Sequence, residues 1–477
     1  MEPAMNAEEI YTLTIDGKGV ATATASPVLD PATQAVIGLA PIADGDCLDA
    51  AIVAARGAFG HWRDAGHDVR ARSLLDLADA IAANLDDLSR LLTLEQGKPL
   101  ARAREEVMGS AFWLRSVAAR TLPESVNEET ADRRSITRRV PFGVVAAIVP
   151  WNFPLLLAVW KLAPALLAGN CVVLKPSPFT PLTALKLGKL ARGILPDGVF
   201  NVLSGGDDLG PRLVEHELVD MVALTGSSRT GQAVMRTASA GLKRLMLELG
   251  GNDAAIVLED ADIAVAAARI FQSAFSNAGQ VCVATKRVYV HDSVFDAFFE
   301  RMVAHLDALK VGPGHEDGVE MGPVQNLPQY QKVTALIDRA RSQGLALRSA
   351  ELRPGLDSGL FIAPVLVMDP PWDSEVMLEE AFGPVLPIVR FRDAGDVIAH
   401  VNAGEHGLGG SIWSSDLGRA TALAHQLQTG MVTINEGAYL APWVPFAGHR
   451  QSGLGVENGQ EGLLAYTQPQ TLTTRLT

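Results

Sequence analysis

The sequence predicts an α/β protein whose first unit is a parallel sheet covered by helices on both faces and whose second unit is a further α/β region. Three observations carry this. The chain has 477 residues, more than one simple core organises, so two or three domains are expected. Between Pro141 and Gly251, short apolar runs alternate with longer segments of helical period. A second alternation follows from Ala261 onward.

Taken in order, Leu74, Leu77, Ala78, Ile81, Leu85 and Leu88 form a helical stripe suited to packing on a sheet. Arg120 to Arg139 is polar and thinly apolar, and it reads as an arm that pairs with another region or subunit. The strand candidates are then GVVAAIV (143–149), CVVL (171–174), VFNVL (199–203), VDMVAL (219–224) and RLMLEL (244–249). PLTALKLGKLARGI and RTGQAVMRTASAG lie between them, with apolar residues three and four apart. Strand, helix, strand, repeated, gives a parallel sheet whose ligands bind beyond the carboxyl ends of its strands. After it come a helical run from Ala261 to Ala278, an apolar VYV, the helix-like SVFDAFFERMVAHLDAL, and strands near 385–390 and 431–434. The alternating tail TQPQTLTTRL reads as a strand and a second arm.

Composition narrows the function. With 40 basic against 54 acidic residues, the net charge of −14 argues against nucleic acid and anionic membranes as partners. The start MEPAMNAEEI lacks the basic and apolar stretches of a signal peptide, and the apolar segment from Leu155 to Leu174 is interrupted by Lys161, Pro164 and Asn170. Three cysteines without C-x-x-C spacing make neither a disulfide framework nor a zinc site. These features point to the cytoplasm. There is no G-x-S-x-G, no H-E-x-x-H and no metal-spaced cluster, which removes most support for hydrolases and metalloenzymes.

Several stretches could carry chemistry. LTGSSRTG (224–231) joins a strand to a helix and could bind a phosphate at the helix start, although a plain turn has the same pattern. Lys175 in LKPSPFTP closes a strand, as a solvated lysine or as a cation reaching a cofactor. VPWNFP holds Asn152 in a rigid turn, where an amide can serve an oxyanion. LELGGND puts Glu248 at a strand end, either ion-paired or as a base raised by burial. Cys282 in FSNAGQVCVATKR is by composition alone a small buried residue. If it does covalent chemistry, Glu248 is the better base, since no histidine lies within eight residues of it.

FSNAGQVCVATKR, LELGGND, PWNFPLLLAVWK, LKPSPFTP, LTGSSRTG, EEAFGPV (379–385) and PFAGHRQSGLG (445–455) together resemble, in order and approximate spacing, the motifs of the aldehyde dehydrogenase superfamily. The resemblance runs over almost the whole chain. It implies a Rossmann-like NAD(P)-binding domain (1–118 and 142–250), an α/β catalytic domain (251–449) and a small β oligomerisation element (119–141 and 450–477). Cys282 matches the nucleophile, Glu248 the base that activates water, Asn152 the side-chain half of the oxyanion hole, and Lys161 a lysine supporting the network. Cofactor contacts are implied for Ile148, Pro150, Trp151, Lys175, Ser177, Gly206, Gly226, Ser227, Leu249, Glu380 and Phe382. Phe153, Leu156, Leu157, Trp160, Leu440 and Phe446 fall where the family lines its aldehyde tunnel.

The implied reaction is oxidation of an aldehyde to a carboxylic acid with NAD or NADP, through a thioester on Cys282, by a homodimer or homotetramer. No charged residue stands in the tunnel, and Trp160 occupies a place where relatives acting on succinic semialdehyde can carry Arg, so an apolar or aromatic aldehyde is expected. Pro178 stands where the family often has an acid that repels a 2′-phosphate, which leaves NADP open beside NAD. Ala447 and Arg450 replace a glycine and a lysine of the family pattern. Two rival readings are a CoA-acylating enzyme, against which Glu248 argues, and a non-enzymatic protein on the same scaffold, against which the intact Cys282, Glu248, Asn152 and Glu380 argue.

Overall fold

In the computed structural model, residues 10–476 are described. All but the last residue of the acidic start MEPAMNAEEI, on which the reading of no signal peptide rests, lies outside them. No helix among the described residues is long and apolar enough to cross a membrane.

The first sheet has eight strands, five of them parallel in the order Phe200–Val202, Cys171–Lys175, Val144–Ile148, Met221–Thr225, Arg244–Glu248. In chain order this is 3-2-1-4-5, the Rossmann arrangement, whose direction reverses between Val144–Ile148 and Met221–Thr225. An antiparallel hairpin, Leu13–Ile15 with Lys18–Val20, extends one side, and Gly453–Leu454 closes the other. The central strands are β-branched and buried on both faces, as a parallel sheet covered by helices requires. Register puts Ile148 beside Lys175 and Thr225 beside Glu248 at one end of the sheet.

Helices Gly45–Asp64, His67–Ala83, Leu85–Gln96 and Leu100–Ala118 cover this sheet together with Pro154–Ala168. The predicted stripe from Leu74 to Leu88 is therefore two helices that break at Asn84. Its apolar face is continuous all the same, because Leu74, Leu77, Ala78, Ile81 and Leu88 are fully buried. In helix Pro154–Ala168 every residue except Leu156 is buried. Pro154 opens it at the first turn, where a missing N–H costs nothing, and Gly169 ends it at φ 99°.

The second sheet, of seven strands, runs Ala346–Ser349, Val365–Met368, Val385–Phe391, Thr285–His291, Asp253–Val257, Gly410–Trp413, Thr433–Ile434, all parallel except the first. The chain passes from one sheet to the other through 249–252, between Glu248 and Asp253. The helical run expected from Ala261 to Ala278 ends at Phe275. Asp262 caps its start, but Asn277, Ala278 and Gly279 take left-handed φ of 50°, 55° and 74°, which no helix accommodates.

The third sheet joins the two arms: Ser125–Glu129, Arg133–Pro141 and Thr467–Arg475, the last two paired over nine residues. Hydroxyl pairs Ser135–Thr473 (3.0 Å) and Thr137–Thr471 (2.9 Å) link its strands. Only the final strand of 450–477 belongs to this ribbon. Gly453–Leu454 pairs with Arg244–Glu248, and helix Gly459–Ala465 packs on Pro154–Ala168, because Gly462 and Leu463 are apolar and buried there.

Candidate active site

The carboxyl ends of the first sheet meet the start of the second at the crossing segment 249–252, where Asn152, Glu248, Cys282 and Glu380 come together. Asn152 is buried in the turn between Val144–Ile148 and Pro154–Ala168. Its Nδ2 donates to the Gln280 carbonyl at 2.9 Å, which fixes the amide plane and leaves one N–H for a ligand. Gln280 is itself fixed, since its Oε1 accepts from Gln325 N at 2.8 Å and its Nε2 donates to Asn277 O at 2.8 Å. The amide thus faces the loop that ends in Cys282, a partly exposed free thiol.

Three successive left-handed residues, 277–279, aim that loop. Gly279 must be glycine, because a Cβ there would lie 2.3 Å from the Gly383 carbonyl. Strain of this kind, held by close packing, is common where a reacting group must be presented.

Glu248 is almost fully buried, and neither carboxylate oxygen has a hydrogen-bond partner among the described residues. Burial, reinforced by the nearby Glu457 carboxylate, pushes its carboxyl up to about 8, and Lys161 pulls the other way. Cys282 and Glu248 are electrostatically coupled, and burial together with the Glu248 charge raises the thiol above its ordinary value. A carboxyl of this kind can take a proton from water near neutral pH.

Beneath Glu248, Lys161 is fully buried and donates to Thr225 Oγ1 (2.7 Å) and to Glu457 Oε1 (2.6 Å). Glu457 went unnoticed in the sequence. The signal was Lys161 itself, a charge on a helix with apolar neighbours all round, which demands a buried counter-ion. A second buried pair was also missed. Lys98 bonds Glu106 and donates to the Asn152 carbonyl at 2.9 Å, while Glu106 Oε1 accepts from Leu155 N (3.1 Å) and Leu156 N (3.2 Å). The turn carrying Asn152 is gripped on both sides by one ion pair.

The sheet's reversal point has the character of a dinucleotide site. Ser227 caps helix Ser228–Ser239 by accepting from Thr230 N at 3.2 Å, so the free N–H groups of the helix start face the crevice beyond Ile148 and Thr225. A Cβ on Gly231 would meet Leu249 at 2.7 Å, so glycine brings this helix close to the buried Leu249. Lys175, at the end of the neighbouring strand, is 5 % exposed, donates only to Pro176 O at 3.3 Å, and has no salt-bridge partner among the described residues. A buried ammonium so poorly satisfied, beside a helix start and the Gly206 loop, fits a ribose and pyrophosphate. Ser177 is buried in the following turn, with its hydroxyl accepting from Phe179 N at 3.3 Å, and Pro150 lies half-buried before Trp151.

On the other side, Glu380 Oε1 accepts from Gly251 N at 3.0 Å. Phe382, at φ 49°, meets Trp151 edge-on with ring centres 5.4 Å apart. Gln329 holds this loop by donating to Ala381 O (2.9 Å) and Phe382 O (3.0 Å). Trp151 and Phe382 are thus in ring contact, and Glu380 is tied to the crossing segment.

The family model for aldehyde dehydrogenases matches residues 20–472. The chain belongs to the aldehyde dehydrogenase family. It is 43% identical over 474 residues, 98% of this chain and 95% of the other, to a Pseudomonas protein named a probable aldehyde dehydrogenase. It also resembles the structure of an NAD-dependent aldehyde dehydrogenase from Sinorhizobium meliloti (TM-score 0.95, 34% identity, covering 98% of this chain and 95% of that one). Betaine aldehyde dehydrogenase from Staphylococcus aureus, solved with NAD+, gives a TM-score of 0.93 at 31% identity, covering 97% and 94%. The fold is that of an aldehyde dehydrogenase, with a Rossmann-like sheet and a second α/β sheet.

Of the predicted tunnel residues, Leu157, Trp160 and Phe446 are buried, Phe153 and Leu156 partly so, and Leu440 is 36% exposed. Lys98 sits 3.8 Å above the Phe153 ring. Trp160 stacks on Trp113 at 5.6 Å and meets Phe446 at 5.4 Å, while Phe112 touches both Trp113 and the exposed Trp443. Arg450, in place of the family's lysine, gathers the carbonyls of Asn402 (2.6 Å), Gly404 and His406 (2.6 Å).

Proposed function

We propose that this aldehyde dehydrogenase oxidises an apolar or aromatic aldehyde to the carboxylic acid with NAD+ or NADP+, by covalent catalysis at Cys282 and hydrolysis through Glu248. One observation carries the reading: the Asn152 amide, the Cys282 loop and an unpaired buried carboxyl at Glu248 occupy a single junction between the two sheets. Lys175, Gly226, Ser227, Leu249, Glu380 and Phe382 would hold the nicotinamide cofactor, which supplies the hydride acceptor when bound.

The chain's own residues do the rest. The Cys282 thiolate forms a bond to the carbonyl carbon, and the displaced electron pair settles on oxygen, where the free Asn152 N–H and the Cys282 backbone N–H receive it. Once hydride has left that carbon, the acyl group remains on sulfur as a thioester. Glu248 removes a proton from water, which adds to the thioester carbon; the thiolate leaves and the acid departs. Lys161 and Glu457 set the charge around Glu248.

The aromatic ladder from Trp443 through Phe112, Trp113 and Trp160 to Phe446 supports an apolar or aromatic substrate, because its rings offer apolar and π surface rather than charge. The ribbon of Arg133–Pro141 and Thr467–Arg475, with its exposed edge strand Ser125–Glu129, supports pairing with another subunit in a homodimer or homotetramer. The acidic balance and the three free cysteines support a cytoplasmic setting. The test is reduced-cofactor formation across an aldehyde panel, with NAD+ or NADP+, with and without CoA, and with Cys282→Ala as control. Turnover that persists in Cys282→Ala, or that requires CoA, would overturn the reading.

A further inference from the structure

Four residues beyond Cys282, at the start of strand Thr285–His291, lies a lysine that the mechanism above does not use. The Lys286 side chain is 5% exposed. Its Nζ donates to the carbonyl of Val281 at 3.0 Å and to that of Cys282 itself, and it pairs with Glu380 Oε1 at 3.3 Å. The same Glu380 oxygen receives the Gly251 N–H at 3.0 Å. One ammonium therefore joins the cysteine loop, the Glu380 loop and the crossing between the two sheets. A lysine confined in this way has lost its side-chain freedom and most of its water, which an ordinary strand-start lysine does not.

The charges around the thiol show what this cation is placed to do. Glu248 comes from the first sheet and Asp253 from the adjacent strand Asp253–Val257, and both oppose a thiolate. Glu380 is engaged by Lys286. Arg287, next in sequence, is turned away, with its Nε on the Asn252 carbonyl at 2.9 Å. His406 is partly buried and held towards its neutral form by burial. Lys286 is the cation at this junction that favours negative charge on sulfur. A thiolate facing only carboxylates would form with difficulty, whereas an opposite charge within a few ångströms shifts such an equilibrium by about 1–3 pH units.

We infer that Lys286 is a positioning residue for thiolate formation: its buried ammonium fixes the carbonyl side of the Cys282 loop against Glu380 and supplies the positive charge that offsets Glu248 and Asp253. This rests on the reading of Cys282 as the nucleophile. The test is the rate of iodoacetamide alkylation of the full cofactor-free protein against pH, in the unaltered chain, Lys286→Met, Lys286→Arg and Cys282→Ala. Cys282→Ala gives the background from Cys47 and Cys171. In Lys286→Met the midpoint of the profile should rise by at least about one unit, with an alkylation rate near neutral pH about tenfold lower or less, and with convergence at high pH. Lys286→Arg should restore most of the rate. A purely structural role would lower reactivity equally at every pH.

If Lys286→Met does not fold, Lys286→Gln, whose amide can still donate to both carbonyls, carries the same criterion. A profile for the neutral variant that superimposes on the unaltered one, while Cys282→Ala abolishes both fast alkylation and turnover, overturns the role of Lys286 and leaves the nucleophile standing. Turnover that survives in Cys282→Ala overturns both.

Discussion

Replacing Glu248 by Gln removes a carboxyl at the junction whose proton affinity is raised mainly by burial and by the neighbouring Glu457. With its carboxyl at about 8, about a tenth of the molecules carry the ionised base at pH 7 and about nine-tenths at pH 9, so thioester hydrolysis should climb about tenfold across that interval. Single-turnover measurement of acyl-enzyme breakdown isolates this step from thiolate formation. The unaltered protein should show the rise, and Glu248→Gln should show a flat profile lowered by about 10²-fold or more.

Stability should respond with the opposite sign. A carboxyl raised from 4.5 to about 8 on folding makes ionisation costlier in the native state. The cost is absent below the unfolded value, grows as pH rises through this window, and is complete above the folded value. Glu248→Gln should therefore melt like the unaltered protein near pH 4 and be more stable near pH 9, by an amount on the order of a few kcal/mol. Hydrolysis in the unaltered protein that is independent of pH from about 6.5 to about 9.5 would refute the base assignment; identical pH trends in the two melting series would refute the linkage.

Asn152→Ala should keep fold and cofactor affinity, measured by cofactor titration, and lose at least tenfold in turnover, the usual loss for one oxyanion donor being about 10²–10³. Glu106→Gln leaves Lys98 buried without a counter-ion and should cost about 3–5 kcal/mol in denaturant unfolding; the double change with Lys98→Met should recover much of that stability but not the turnover, since the Asn152 turn loses both its grips. Glu457→Gln frees Lys161 to act on Glu248 alone, so the midpoint of the hydrolysis profile should move to lower pH, read by the same single-turnover assay. By kcat/KM, benzaldehyde and hexanal should be preferred over succinic semialdehyde; the reverse order would sink the tunnel argument.

What the sequence disclosed, and what it withheld, follows from the range of the interactions. Glu248, Asn152 and Lys175 sit in short stretches whose glycines, prolines and apolar flanks report a strand end or a rigid turn, so their placement was legible locally; Cys282 taken alone reads as a small buried residue, and only the accompanying motifs single it out. The reversal of strand order between Val144–Ile148 and Met221–Thr225 was not, because pairing of these strands depends on contacts across the whole sheet. Glu457 meets Lys161 across 296 residues, and nothing local to either names the other. Lys98 and Glu106 are only eight residues apart but reach Asn152 through a backbone carbonyl and two N–H groups, contacts that leave no mark on residue type. The sequence pattern carries the helix to Ala278 because Asn and Ala tolerate one, whereas Asn277 and Ala278 adopt left-handed φ next to Gly279, which packs against the Gly383 carbonyl.

These hidden contacts have a common form. Each of three buried lysines, Lys98, Lys161 and Lys286, combines a carboxylate partner with an oxygen of a segment in the proposed site: the Asn152 carbonyl, the Thr225 hydroxyl at a strand end, and the Cys282 carbonyl. A buried ion pair is a poor source of stability, since its desolvation offsets most of its attraction. Apolar side chains of similar size could fill the same volume, but they could not grip a backbone carbonyl or hold a charge beside a thiol. The placement of these lysines therefore makes sense as orientation of the segments proposed to carry the chemistry, at a cost the large apolar cores on either side of the junction can bear.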